Sequence, residues 1–168
     1  TWYSKNLASN SDKIDGNAGF CGDRRVTSGT GTGISSTDYQ PYTRMENSKP
    51  SLSCNKNDIY TTDEFEFGNG ALTYPIGLIS ADEAMLAGIP NWNSSGNTNN
   101  YLYTGEYYWT MSPIRFRSSY AFVFVVYGNG GLNGDSVNGS WGVRPVINLK
   151  SAIAITGSGS KTDPFKVS

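Results

Sequence analysis

Apolar residues along this chain fall in short clusters between long polar stretches, and one segment alone carries a clear helical signal. In Leu78-Ile-Ser-Ala-Asp-Glu-Ala-Met-Leu-Ala-Gly-Ile-Pro90, Ser80 is a good N-cap and Glu83 sits at N3, the spacing of a capping box. Ala84, Met85, Leu86 and Ala87 continue the turn, Gly88 offers a left-handed C-terminal residue and Pro90 prevents extension. From Tyr101 onward the pattern is β. Tyr101 to Pro113 is aromatic-rich, and Tyr120 to Tyr127 is a continuous β-forming run. Gly128-Asn-Gly-Gly131 is a hairpin turn signal, and Leu132 to Val137 returns antiparallel. Gly142 to Leu149 reads as a further strand, with Pro145 at an edge or a strand start.

Elsewhere the pattern is weaker. Thr1-Trp2-Tyr3 reads as a short opening strand, and residues 4–20 are polar with turn signals. Residues 27–38 are almost only Ser, Thr and Gly, which predicts a flexible loop. Residues 91–100 read as a surface loop around Trp92. Asp163 to Val167 is expected to close the domain beside Trp2 and Tyr3. The expected fold class is α+β over a single domain, 1–168: a twisted, mostly antiparallel sheet, one or two short helices and long ordered loops.

Composition sharpens this picture. Ser, Gly, Asn and Thr make up 71 of 168 residues, which favours turns and short strands. Charged residues are 16%, with net charge −1, so no strongly basic face exists for a nucleic-acid backbone. The absence of His removes the Ser-His triad, His-bound zinc and an imidazole base. No apolar run approaches the roughly 20 residues of a membrane span, so this segment makes no direct membrane contact. The chain starts at Thr1 rather than Met, and reads as a fragment of a longer surface protein whose anchor lies upstream.

Several features invite functional readings. Cys21 and Cys54 pair as a disulfide, or remain two buried thiols; the loop-rich, extracellular-looking composition favours the bond. Gly29-Thr-Gly31-Thr-Gly33 lacks the Lys and the strand-to-helix context of a phosphate loop. Seven acids lie between residues 57 and 114, where no Lys or Arg occurs: Asp58, Asp63, Glu64, Glu66, Asp82, Glu83 and Glu106. Such a block could hold calcium through oxygen ligands, but the spacing of a calcium loop is missing and a solvated acidic face is the plainer reading. Glu64 and Glu66 flank Phe65 on one strand face, which is ordinary solvent exposure rather than a catalytic pair. No cofactor is expected.

Residues 114–140, IRFRSSYAFVFVVYGNGGLNGDSVNGS, have an unusual alphabet. Tyr, Ser, Gly and Asn fill 14 of the 27 positions, the chemistry of antibody-like paratopes. Lys, Glu, Gln, Met and Trp are all absent, where about four would be expected from the rest of the chain. These are the residue types that a codon ending in a pyrimidine cannot encode. Randomising the adenines of an Asn codon yields Ile, Arg, Ser, Tyr, Val, Gly, Asp and Asn, and never those five. A glycine-rich hairpin with a chance bias is the alternative.

Tyr-Trp-Thr-Met-Ser-Pro (108–113), this segment, and Gly-Val-Arg-Pro-Val-Ile-Asn-Leu-Lys (142–150) together resemble the variable proteins of diversity-generating retroelements. Phe-Cys-Gly-Asp-Arg (20–24) and Leu-Thr-Tyr-Pro-Ile-Gly-Leu-Ile-Ser-Ala-Asp-Glu (72–83) share the resemblance, as in related surface proteins of gut bacteria. It implies a C-type lectin fold of the formylglycine-generating-enzyme type. It also implies a gene whose 3′ part is overwritten from an adenine-mutagenised template. The implied ligand-contacting positions are Ile114, Arg115, Arg117, Ser119, Tyr120, Tyr127, Asn129, Gly131, Asn133, Gly134, Asp135, Ser136, Asn138 and Ser140. Trp141 lies at the edge of the segment, and is either constant or derived from another template codon. Phe116, Phe122, Phe124, Val137, Val143, Arg144 and Pro145 look like scaffold, with Arg144 a structural hydrogen-bond donor. The oxidase that names the fold type uses a cysteine pair, but Cys21 and Cys54 lie far from the matching frame, which argues against oxidase activity.

The expected function is thus a non-enzymatic binding module on a bacterial or phage surface, outside the cell, whose partner is a protein or another cell-surface ligand. The alternative is an undiversified lectin or adhesin module, with Trp and Tyr stacking on sugars. No acid–base or nucleophile constellation supports an enzyme.

Overall fold

The computed structural model describes residues 1–61, 72–92, 94–160 and 162–167. In chain order the strands are β1 (Phe20–Cys21), β2 (Val26–Ser28), β3 (Thr37–Tyr39), β4 (Ile59–Tyr60), β5 (Gly77–Leu78), β6 (Tyr108–Arg117), β7 (Tyr120–Val126), β8 (Leu132–Ser136), β9 (Pro145–Val146), β10 (Ile155–Thr156) and β11 (Lys166–Val167). The α-helices are α1 (Trp2–Asn6), α2 (Gln40–Glu46) and α3 (Ala81–Leu86). The fold is α+β, its strands pairing antiparallel with few short helices, as the sequence pattern predicts.

The central sheet has the order β2-β3-β6-β7-β8. Its middle is the long hairpin β6–β7, closed by Ser118 and Ser119, with Arg117 opposite Tyr120. Ser118 has φ +56° while Ser119 is not in the left-handed region, the sign pattern of a II′ hairpin turn. Along β6, Tyr108, Thr110, Ser112 and Ile114 are buried and their neighbours are not, the period-2 signature of a strand covered on one face.

The helices α2 and α3 cover that face. Met45, Ala81, Ala84, Ile89 and Leu102 pack with Tyr108, Ile114, Phe124, Val126 and Leu132 in one core. The predicted capping box of α3 is present: the Glu83 amide donates to the Ser80 hydroxyl oxygen at 3.2 Å, and the Ser80 amide donates to Glu83 Oε2 at 2.7 Å. The helix α2 has too few apolar positions to show a period, with only Pro41 and Met45 buried. Pro41 suits its first turn, where an N–H has no intrahelical partner.

A buried ionic cluster ties the helices to the N-terminal loops. Arg44 on α2 donates to both Asp82 oxygens (2.6 and 2.7 Å) and to Asp23 (2.7 Å). Arg25 adds a two-nitrogen grip on Asp23 at 2.9 and 2.8 Å. Burial would raise the Asp23 carboxyl, but the hydrogen bonds from Arg25 and Arg44 outweigh it and hold its pKa down at about 2. Cys21 and Cys54 form the disulfide, closing a separation of 33 residues.

Five expectations are corrected. Residues Trp2–Asn6 are helical, with the Thr1 hydroxyl capping the Ser4 amide, so no opening strand exists there. The Ser/Thr/Gly stretch is not a free loop: Val26–Ser28 pairs with Thr37–Tyr39, which continues into the central sheet through β6. From Tyr101 to Tyr107 the chain turns rather than extends, because Asn100 Oδ1 and the Leu102 carbonyl are drawn into local bonds to the Leu102 amide and the Tyr108 hydroxyl. The C-terminal strand Lys166–Val167 pairs with Ile155–Thr156 instead of lying beside Trp2. Of the expected strand from Gly142 to Leu149, only Pro145–Val146 is one, paired with Gly77–Leu78.

Candidate ligand-contact surface

The strands β6, β7 and β8 carry most of the candidate residues, and their alternation divides these between two faces. Arg115 lies opposite Phe122, Phe122 opposite Ser136, and Arg117 opposite Tyr120; a register shift between Pro113 and Arg115 breaks the β6 alternation, so all five lie on the helix-bearing face beside Ile114. Val123 lies opposite Asp135 and Val125 opposite Asn133, on the other face. Residues 114–141 therefore present two surfaces rather than one.

On the first face, beyond the end of the helical cover, a groove of about 500 Å³ is lined by Trp92, Ile114, Arg115, Arg117 and Phe122, and reaches Asn133 and Gly134 on the edge strand β8. Arg115 lays its guanidinium over the Tyr42 ring, 4.1 Å from the centroid. Arg117 is held differently. Its Nη2 donates to both oxygens of Asp38, at 2.6 and 2.8 Å, and its Nη1 donates to the Thr37 carbonyl at 3.1 Å. Ser28 adds a third hydrogen bond to Asp38 at 2.8 Å. Burial alone would raise the Asp38 carboxyl; the hydrogen bonds from Arg117 and Ser28 reverse that and hold it below the usual carboxylate range. Tyr120 is 52% exposed and tilts against Phe122, with ring centroids 6.5 Å apart.

The second face carries an aromatic cluster. Tyr107 packs against Tyr127 (4.5 Å between centroids) and stacks on Trp141 (4.7 Å). Trp141 Nε1 donates to Asp135 Oδ2 at 2.8 Å, which fixes the indole while 38% of the residue stays exposed. The Tyr127 hydroxyl donates to the Gly134 carbonyl at 3.1 Å. Burial pushes the Tyr127 phenol up, and the neighbouring Asp135 carboxylate adds to the shift.

Of the predicted contact residues, Ser119, Tyr120, Asn129, Asn138, Ser140 and Trp141 are exposed; Arg115, Arg117, Tyr127, Asn133, Asp135 and Ser136 are half-buried. The remaining three present no exposed side chain. Ile114 is 1% exposed and belongs to the core, because β6 alternation turns it under the helices. Gly131 is buried in the β7–β8 turn, where its amide donates to Asn129 Oδ1 at 2.9 Å. Gly134 has no room for a side chain, since a Cβ there would collide with Ile114 Cδ1. Two scaffold expectations also fail: Val137 is 55% and Val143 68% exposed. Arg144 does act as a structural donor, reaching the Leu102 carbonyl at 2.7 Å.

Tyr42, Trp92, Tyr107 and Asp38 belong to these surfaces without having been singled out. Tyr107 stood in the aromatic-rich stretch and Trp92 in the loop expected over 91–100; nothing in the local sequence marks Tyr42 or Asp38. A second cavity of about 510 Å³, walled by Phe20, Tyr60, Met111, Val123 and Val143 among others, is larger but mostly apolar and brings no reactive groups together. Among the described residues no three acids gather in a cation site. Asp58 pairs with Arg24 at 3.3 Å, Asp82 with Arg44, and Glu83 serves the helix cap. Asp63, Glu64 and Glu66 lie outside the described residues. Among the described residues no helix is long and apolar enough to cross a membrane.

Residues 71–151, a little under half the chain, match the family model of a domain of unknown function (DUF6273), a span that holds α3, the β6–β8 unit and the candidate residues from Ile114 to Trp141, but not Asp38 or Tyr42. No curated protein matches the chain, and no solved structure does. The chain is thus similar, over residues 71–151, to a domain whose description carries no activity.

Proposed function

We propose that this chain is a non-enzymatic ligand-binding module with a C-type lectin fold of the formylglycine-generating-enzyme type. Its β6–β8 surface is diversified by adenine-directed copying from a retroelement template. It works outside a bacterial cell or on a phage particle, where the Cys21–Cys54 disulfide suits an oxidising environment. Its partner is a protein or another cell-surface ligand.

One observation carries this reading. In the segment that lacks Lys, Glu, Gln and Met, β7 and β8 bury Phe124, Val126 and Leu132 completely, while Ser119, Tyr120, Asn129, Asn138 and Ser140 stand exposed at turns and edges. A surface of that kind takes substitutions without disturbing the core beneath it. Exposed Tyr, with adaptable Ser and Asn around it, supplies contact area at low conformational-entropy cost. Sequencing the gene across natural populations of its host tests the proposal. Substitutions confined to residues 114–141, at positions read from adenines in a nearby template, support it. Even scatter along the gene, with no template copy, overturns it.

A second reading, an undiversified lectin or adhesin module, draws on Trp141. Its indole is held by Asp135 and Tyr107 and keeps a partly exposed face, a geometry suited to stacking on a sugar ring. Glycan-array binding that Trp141→Ala abolishes would favour it, and binding dependent on calcium would strengthen it.

A further inference from the structure

The groove on the helix-bearing face contains an ionic asymmetry. It is lined by two arginines, and one carboxylate, that of Asp38, stands beside them. In the β3–β6 ladder Asp38 lies directly opposite Arg115. Both Asp38 oxygens nevertheless lie within hydrogen-bond distance of Arg117 Nη2, and Ser28 takes a further position on Oδ2. Among the described residues the Arg115 guanidinium makes no hydrogen bond and no ion pair; it stacks on the Tyr42 ring and acts on the Asp38 carboxylate only through space. Stacking leaves the edge of a guanidinium, with its fork of N–H donors, free to meet a planar anion.

The rest of the groove restricts what the anion is attached to. Trp92, Ile114 and Phe122 supply apolar walls. The Asn133 side-chain oxygen is already accepting from the Gly134 amide at 2.8 Å. A sugar acid would bring several hydroxyls against those apolar walls with few partners, and each unpaired one costs free energy. A carboxylate on an apolar body meets no such cost. At about 500 Å³ the groove lies within the size range of small-ligand sites and has room for one or two side chains.

We infer that this groove receives the carboxylate of an acidic residue flanked by apolar neighbours in a protein ligand, with Arg115 as its anionic anchor and Trp92 and Phe122 as the apolar walls; this rests on reading the Arg115–Tyr120 face as ligand-contacting. Hydrogen bonds to charged groups are among the stronger ones, so loss of the ligand's charge is expected to weaken binding by about ten- to a hundredfold.

The test is an NMR titration of the isotopically labelled chain with three probes: the capped peptides acetyl-Leu-Glu-Phe-amide and acetyl-Leu-Gln-Phe-amide, and glucuronate. The Glu peptide is expected to shift the Arg115 Nε–Hε and Trp92 indole resonances, with the Gln peptide at least about tenfold weaker. Arg115→Gln is expected to erase that preference while the thermal midpoint holds, because the Arg117–Asp38 pair is untouched. Equal binding of the two peptides, or no shift with either, overturns the inference. Tighter binding by glucuronate overturns the choice of a protein side chain. Should Arg115→Gln fail to fold, the two peptides still decide on the unaltered chain. Gene sequencing addresses diversification separately, so a negative titration beside template-linked variation would sink this inference alone.

Discussion

Asp38 faces Arg115 across the β3–β6 ladder, yet it binds Arg117, two residues further along the strand. The longer reach fastens the end of the β6–β7 hairpin to the β2–β3 hairpin, and leaves Arg115 to the Tyr42 ring. The Asp38–Arg117 pair is partly exposed, so Asp38→Asn is expected to lower stability by only about 1 kcal/mol. A urea midpoint unchanged by the substitution would show that the pair orients Arg117 without adding stability.

Asp23 should dominate the acid sensitivity of the fold. Its folded pKa of about 2 lies below the usual carboxylate value, so its contribution is complete above the unfolded pKa and is lost as pH falls through the folded one. The window runs from about pH 4 down to pH 2, and the contribution is about 2 kcal/mol. Denaturation between pH 6 and pH 2.5 measures it. Asp23→Asn should be destabilised by about 3 kcal/mol at pH 6, because Arg44 loses a buried partner, and should show a flatter acid limb. Parallel acid limbs for the two proteins would place the sensitivity elsewhere.

Ile114 and Gly134 share one space, since the Ile114 Cδ1 methyl occupies the site a residue 134 side chain would need. Gly134→Ala alone is expected to cost about 1–3 kcal/mol by overpacking. Ile114→Val, which removes that methyl, is expected to cost about 0.5–1.5 kcal/mol. The double variant should be more stable than the sum of the two losses predicts, with a coupling of at least about 0.5 kcal/mol. Strict additivity in the cycle would show that the site relaxes without Ile114. If the segment is diversified, natural variants should exchange volume between these two positions.

Arg115 and Tyr120 lie on the candidate face, outside the buried core. Replacing both with Ala should abolish ligand binding and leave the thermal midpoint within a few degrees. A large fall in the midpoint would make them scaffold.

Reduction of Cys21–Cys54, or its replacement by paired Ala, should cost about 2–4 kcal/mol. The loss should appear as easier unfolding, with no change in the Arg115 face. A calorimetric midpoint indifferent to reductant would contradict this.

Much of the scaffold was legible in the chain itself. Ser80 and Glu83 announce α3 because a cap is a local arrangement of neighbours. Gly128 to Gly131 and the run from Tyr120 announce the β7–β8 hairpin because turn chemistry and alternation are local too. The predicted pairing of the two cysteines also holds. The helix α2 and the pairing of Val26–Ser28 with Thr37–Tyr39 were not legible, since neither segment has enough apolar residues to set a period. Their places come from distant partners: Arg44 with Asp82 and Asp23, and Thr37 with Phe116.

The candidate surface divides in the same way. Composition singled out residues 114–140 as a segment, because residue usage needs no geometry. Only the tertiary structure decided that Ile114 and Gly131 turn inward, that Arg117 belongs to Asp38 while Arg115 stands over Tyr42, and that Trp141 looks out from the opposite face. Which side of a strand faces the core, and which of two arginines finds a carboxylate, depends on strands packed from elsewhere in the chain. A period of two residues says that side chains alternate; the helices laid on one face decide which alternate is buried.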